Sequence, residues 1–285
     1  FHAESAIDAT DRLKLLAGLR IEQIDLARFD RIARTRKDLG FEPVTWRLGV
    51  VQALGTSASV YAQYVVGNDA AGSLISLPAL GAERLQTGRQ VEVGFKQGFW
   101  DGRADWTLAA YRISKSNLVS RDPLLPNVVQ QIGEQSSRGV EIALALAPTS
   151  NLDLELNATV LKAQFESFAE LVSGAAVSRQ GNLPPNTPER LAGAWATYRP
   201  LASWSVGGGA RYVGRRFSDN ANTLEIPSYV VADAFVSYRW REGADLSVRV
   251  RNLFDEQWVV APYNAGRQWA LGDPRAYELS ARFAF

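Results

Sequence analysis

Apolar and polar residues alternate with a period of two along most of this chain. In Leu152–Val160, the residues Leu152, Leu154, Leu156, Ala158 and Val160 point one way, while Asp153, Glu155, Asn157 and Thr159 point the other. Val91, Val93, Phe95 and Phe99 oppose Glu92, Gly94, Lys96 and Gly98 in the same manner. So do Val140, Ile142, Leu144 and Leu146 against Glu141, Ala143 and Ala145, and Leu246, Val248 and Val250 against Ser247, Arg249 and Arg251. Residues two apart share one face of a sheet, so each segment predicts a strand with an apolar and a polar face. Helical periodicity is weak throughout.

The connections divide into two kinds. Tight turns are expected at Gly55–Ser57, Trp100–Arg103, Pro148–Ser150, Pro200–Ala202 and Arg241–Gly243. Between them lie long polar stretches rich in Gly, Pro and Asn, at about 26–43, 67–88, 121–132, 166–187, 215–227 and 255–274. About twelve strands are left, near 13–25, 44–54, 58–66, 89–99, 104–120, 133–147, 151–165, 188–199, 203–214, 228–240, 244–254 and 275–285. Long loops are uncommon in soluble domains, and here they alternate strictly with tight turns. An antiparallel outer-membrane β-barrel explains both features, with short turns at one end, long loops at the other and strands of about 9–11 residues across the hydrocarbon. Arg282, Arg249, Arg251, Lys96, Glu92, Glu141, Asp153, Glu155 and Glu278 then line a wet lumen. Trp46, Trp106, Trp195, Trp204, Trp240, Tyr212, Tyr238, Tyr277 and Phe285 suit the membrane interfaces. A soluble β-sandwich is the competing fold, and it leaves the asymmetry of the connections unexplained.

Composition narrows the function. The 285 residues carry 31 Lys+Arg against 30 Asp+Glu, which gives no basis for a nucleic-acid partner. The chain has no cysteine and one histidine, His2, so neither thiolate metal sites nor a multi-histidine cluster is expected. No stretch supplies the ~18 apolar residues of a spanning helix. The chain starts at Phe1 and contains no methionine, and it is read as a processed or truncated sequence. Catalytic constellations are lacking: Asp153 and Glu155 read as solvated lumen residues, and Gly207–Gly209 lacks the setting of a phosphate loop and is assigned to close packing in the wall.

The segments Ile132–Leu144, Trp106–Leu118, Asn182–Tyr198 and Pro227–Trp240, with Arg251–Trp258 and the closing Gly272–Phe285, resemble TonB-dependent outer-membrane receptors of the siderophore type. The resemblance implies a twenty-two-stranded barrel plugged by an N-terminal domain and energised from the inner membrane through TonB. Residues 1–285 are then the C-terminal portion of the barrel, with the plug and the first strands absent; Phe1–Ile7 reads as the tail of an earlier strand and Asp8–Asp11 as the turn after it. It also implies a periplasmic C-terminus, which makes the long connections extracellular. The terminal Phe285 resembles the signal read by the barrel-assembly machinery.

On this reading the ligand is a ferric siderophore or similar chelate. Iron arrives only inside it, and no resident cofactor or metal site is implied. The candidate ligand-binding residues are Trp258, Tyr263, Arg267 and Trp269 on the last long loop, with Arg215 and Arg216 on the one before. Aromatic faces and guanidinium groups suit flat, anionic chelates. The alternative places Trp258 and Trp269 in the outer aromatic girdle, and Arg215 and Arg216 at the rim or on lipopolysaccharide phosphates. Asn252 and Asp255 of the NLFD stretch are expected to bind backbone where strand meets loop, and GDPR reads as a turn that launches the last strand, where Gly272 permits unusual dihedrals and Pro274 fixes one. Two other functions compete: a self-contained small barrel acting as pore or enzyme, and a soluble β-rich binding module.

Overall fold

The alternation produces strands wherever it was found. A computed structural model describes the chain except residues 33, 70–83, 122–128, 174, 264–267 and 284–285; at 119–121, 129–132, 171 and 263 the backbone alone is described. In chain order the strands are β1 (His2–Thr10), β2 (Leu13–Ile21), β3 (Ile24–Asp30), β4 (Thr35–Phe41), β5 (Val44–Ala53), β6 (Ala58–Asn68) and β7 (Thr87–Phe99). There follow β8 (Ala104–Arg121), β9 (Val129–Thr149), β10 (Leu152–Ser167), β11 (Ala169–Val172), β12 (Ala175–Ser178), β13 (Arg190–Leu201) and β14 (Trp204–Val213). The last are β15 (Arg216–Phe217), β16 (Glu225–Ile226), β17 (Tyr229–Arg241), β18 (Ala244–Arg251), β19 (Val259–Tyr263), β20 (Gln268–Leu271) and β21 (Ala276–Phe283). No helix occurs among the described residues.

One antiparallel sheet of 13 strands forms the wall, in the order β1-β2-β5-β6-β7-β8-β9-β10-β13-β14-β17-β18-β21. Each strand pairs with the next long strand in sequence, so the topology is an unbroken meander. β1 was expected as the tail of a strand ending near Ile7; it continues to Thr10, and the turn falls at Asp11 and Arg12. Left-handed residues close several tight turns: Gly55 (φ 82), Trp100, Asp101 and Gly102 (φ 53, 54 and 81), and Gly243 (φ 72).

The register keeps one chemistry on each face. Leu15 pairs with Val50, Val50 with Ala62, Ala62 with Val93, Val93 with Ala110, Ala110 with Val140 and Val140 with Val160. The same apolar face continues through Leu156, Ala194, Ala210 and Ala232, and through Val236, Val248 and Leu279. Many of its large side chains are exposed, Leu279 at 73% and Val160 at 59%, which a soluble core would not tolerate and a lipid surface requires. The opposite face pairs Gln63 with Glu92, Glu92 with Tyr111, and Arg249 with Glu278. Every residue assigned to the lumen falls on this second face.

Two expectations need correction. Trp195 does not belong to an interfacial girdle: it pairs with Glu155 and Gly209 on the polar face. Trp204 and Tyr238, by contrast, pack on the apolar face with ring centroids 4.8 Å apart, beside the tight turns. The long connections are also less irregular than expected. Four of them carry small antiparallel hairpins of their own: β3-β4, β11-β12, β15-β16 and β19-β20.

Candidate functional site

The long-connection end holds the densest packing in the chain. Phe165 at the top of β10 and Phe168 beyond it are almost fully buried, their rings 5.0 Å apart and covered by Leu118. Beside them Glu170 accepts hydrogen bonds from Arg179 Nε (2.6 Å) and Asn220 Nδ2 (2.8 Å). That amide joins the β11-β12 connection to the β15-β16 connection. Three more contacts reinforce the joint. Asn182 Nδ2 donates to the Asn220 carbonyl (2.8 Å), the Asn186 N–H donates to the Phe217 carbonyl (2.8 Å), and Asn222 exchanges two 2.8 Å bonds with the backbone of Leu183. Asn186 and Asn222 have φ of 56° and 58°, a region that Asn enters more readily than most residues. Asp219, itself buried, accepts from the N–H groups of Thr223 and Leu224 and so shapes the turn between β15 and β16.

Arg216 extends this assembly to the third connection. Its Nη2 donates to the carbonyls of Val259 (2.7 Å) and Val260 (3.3 Å), and its guanidinium lies 5.7 Å from the centre of the Tyr229 ring. Only 6% of Arg216 is exposed. Burial lowers its pKa, and the electrostatic influence of Tyr229 opposes that shift. The three consecutive connections are therefore one rigid platform at the mouth of the polar face.

The predicted residues separate sharply on this platform. Trp258 stacks on Tyr229 (5.4 Å, 24°) and lies across Gly272, where any Cβ would collide with its indole. Its indole is packed between Tyr229 and the backbone of Gly272. Gly272 is needed for this close approach, and its φ is not positive. Trp269, on β20 opposite Pro262, is 41% exposed. Tyr263 pairs with Gln268 through its backbone, and Arg267 lies outside the described residues, as does Phe285. Arg215 is exposed and ion-paired with Glu225 at 2.9 Å. The structure thus brings Arg216 and Trp258 together around Tyr229, while Arg215 stands apart.

The NLFD stretch behaves as expected. Asn252, 2% exposed and at φ 50°, donates from Nδ2 to the carbonyls of Glu256 (2.9 Å) and Asp273 (3.1 Å) and accepts from the Glu256 N–H (2.8 Å). Asp255 accepts from the Arg275 N–H at 2.8 Å. Both ends of the last loop are fastened to each other.

Below the mouth, aromatic rings lie flat against the polar face. Tyr61 faces Gly94, Trp195 faces Gly209 and Phe235 faces Gly207, each ring occupying the space a Cβ would fill on the neighbouring strand; Tyr111 faces Gly139 and brings its hydroxyl there. Trp195 and Phe235 stack at 6.0 Å and 4°. This is the close packing expected of Gly207–Gly209. Tyr61 donates to Glu92 (2.7 Å) beneath Lys96, and Arg251 pairs with Glu278 at 2.7 Å. The face as a whole is a charged, wettable surface under a structured rim.

Comparison with known proteins agrees with that geometry. The chain is 28% identical over 292 residues to the ferrichrome outer membrane transporter/phage receptor of Escherichia coli (strain K12), covering 96% of this chain and 36% of that protein. It is 28% identical over 297 residues to the probable TonB-dependent siderophore receptor PiuA of Acinetobacter baumannii, covering 98% of this chain and 39% of that protein. The crystal structure of PiuA superposes with a TM-score of 0.84 at 24% identity, over 99% of this chain and 42% of that one. The chain thus spans well under half the length of the relatives it matches. Those relatives are transporters and receptors of the outer membrane. The sequence profile described as TonB dependent receptor-like, beta-barrel matches residues 1–253, and the chain belongs to that family of outer-membrane β-barrels.

Proposed function

We propose that this chain forms part of an outer-membrane receptor that imports a ferric siderophore, driven from the inner membrane through TonB. The supporting observation is the platform: three adjacent outer connections, tied through Glu170, Asn220, Asn222 and Arg216, frame the mouth of a charged lumen face. A mouth that must hold a chelate against diffusion needs a fixed rim, and pre-organisation lowers the cost of binding. Relatives named for ferrichrome and for siderophores point the same way. On this reading iron is cargo, Trp269 and Tyr263 offer ring faces, and Arg267 offers charge-assisted hydrogen bonds to an anionic chelate. Arg216 and Trp258 act by positioning the loops.

The chain contributes one sector of a wider barrel in this proposal. Among the described residues the edges β1 and β21 each pair with a single neighbour and not with each other. The test uses the full-length receptor in cells lacking their own siderophore receptors. Iron-limited growth on a panel of hydroxamate, catecholate and carboxylate chelates identifies the cargo, and radioactive iron uptake measures it. Replacing Trp258, Tyr263, Arg267 and Trp269 together by alanine is expected to weaken chelate binding at least tenfold, equivalent to about 1.4 kcal/mol. Unchanged affinity in a folded variant removes this loop from the binding surface.

A further inference from the structure

The last outer hairpin, β19-β20, is built in two registers. At its base the Gly272 N–H donates to the Trp258 carbonyl (2.8 Å), and Val259 pairs with Leu271. Carried on without a break, that register would set Val260 against Ala270 and Ala261 against Trp269. The observed pairs are instead Ala261 with Ala270, Pro262 with Trp269 and Tyr263 with Gln268. Val260 is therefore one extra residue, inserted between the two halves as a β-bulge. Successive side chains of a strand alternate between faces, so the insertion turns the later residues of β19 over with respect to β20. Pro262 comes to share a face with Trp269 and is buried; without the bulge Ala261 would take that place.

A bulge disrupts the ladder and leaves backbone groups in need of partners. The carbonyls of Val259 and Val260, where this bulge turns, both accept from Arg216 Nη2, at 2.7 and 3.3 Å. The donor comes from a different connection, at β15. Pro262 has no N–H to give and suits a bulged strand, so β19 tolerates the insertion; Arg216 supplies the bonds that the insertion needs.

The arginine does this at a cost to the fold. It is 6% exposed, its Nη1 is buried with no partner, and among the described residues no acid pairs with it. A buried cation left half satisfied adds little to stability, and an apolar side chain of similar size commonly serves as well. What such a group can do is favour one pairing over another, the best attested use of buried polar residues. We propose that Arg216 selects the bulged register of β19-β20 and so determines which residue stands beside Trp269 at the mouth. It is a positioning residue, too deeply buried to meet cargo itself. The choice of register stands on the strand pairing alone; its bearing on recognition rests on the receptor reading above.

The test uses the full-length receptor in lipid vesicles, with two cysteine pairs that report the register: A261C/A270C for the bulged pairing and A261C/W269C for the straight one. The ratio of their oxidation rates is compared with and without R216M. R216M is expected to shift the ratio toward A261C/W269C by on the order of tenfold, the worth of about one hydrogen bond, while the denaturant midpoint of the barrel stays close to that of the wild type. R216K keeps a charge and loses the fork, and is expected to fall between the two. An unchanged ratio would overturn the proposal. So would a ratio that moves only in step with a lowered midpoint, which marks general loosening. Recognition is read separately, without the cysteines, as affinities for a panel of ferric hydroxamate, catecholate and carboxylate chelates. R216M is expected to weaken the preferred chelate on the order of tenfold and to narrow its margin over the others. Unchanged affinities beside a shifted ratio would overturn the tie between register and recognition. If the wild type binds none of the panel, the receptor reading falls, and the cysteine ratio still decides the register.

Discussion

At the scale of single residues, glycines and asparagines place the large side chains. Gly209 is required by space: a Cβ there meets the Ala194 carbonyl and the Trp195 ring. Gly209→Val should cost about 1–3 kcal/mol by overpacking, read as a lower denaturant midpoint of the receptor in lipid vesicles. Asn252 is required by its bonds. Asn252→Ala leaves the Glu256 N–H and the Asp273 carbonyl without a partner, at a cost of about 2–4 kcal/mol. Faster hydrogen exchange across 252–275, with the wall strands unchanged, is the expected result. The two neighbouring arginines should differ. Arg215→Ala removes an exposed pair worth about 0–1 kcal/mol, whereas Arg216→Ala unties β19 and should deprotect residues 259–263. The sequence marked both arginines as candidates for ligand contact. It held no signal that one is buried, because adjacent residues look alike until a neighbouring loop covers one of them.

At the scale of elements, period-two alternation carried nearly all of the wall. β10 was legible because Leu152 to Val160 alternate without a break; β1 was legible only through the resemblance, since His2–Thr10 has one large apolar residue, Ile7, on either face. Outward parity makes a prediction for the membrane. Val248→Arg on β18 should destabilise the barrel by about 2–4 kcal/mol, measured by unfolding from lipid bilayers, while Ser247→Arg on the lumen face should cost far less. The outer hairpins were illegible because most of their strands are too short to show a period, four residues each in β11, β12 and β20. Their order comes from cross-loop bonds such as Asn182 to Asn220, and local patterning does not report these.

At the scale of the molecule, the wall is, among the described residues, an open sheet with two unpaired edges. Free edges template further strand pairing. Expressed alone in detergent, the chain is therefore expected to form higher oligomers, seen by light scattering, and a monodisperse monomer would contradict the open edges. The platform and the wall also divide the stability. Fastened loops at Asn252 and Asn222 should open after the edges and before the paired centre β8-β9-β10, an order that native-state hydrogen exchange can read.

The rings laid over Gly94, Gly207 and Gly209 have a consequence for the room in front of the polar face. An aromatic side chain standing off the wall would project far from it; laid over a glycine, it adds only the thickness of a ring. Three glycines, with no side chains of their own, thus keep this sector clear. A methyl group at Gly94 or Gly207 would lift its ring off the wall and narrow that clearance.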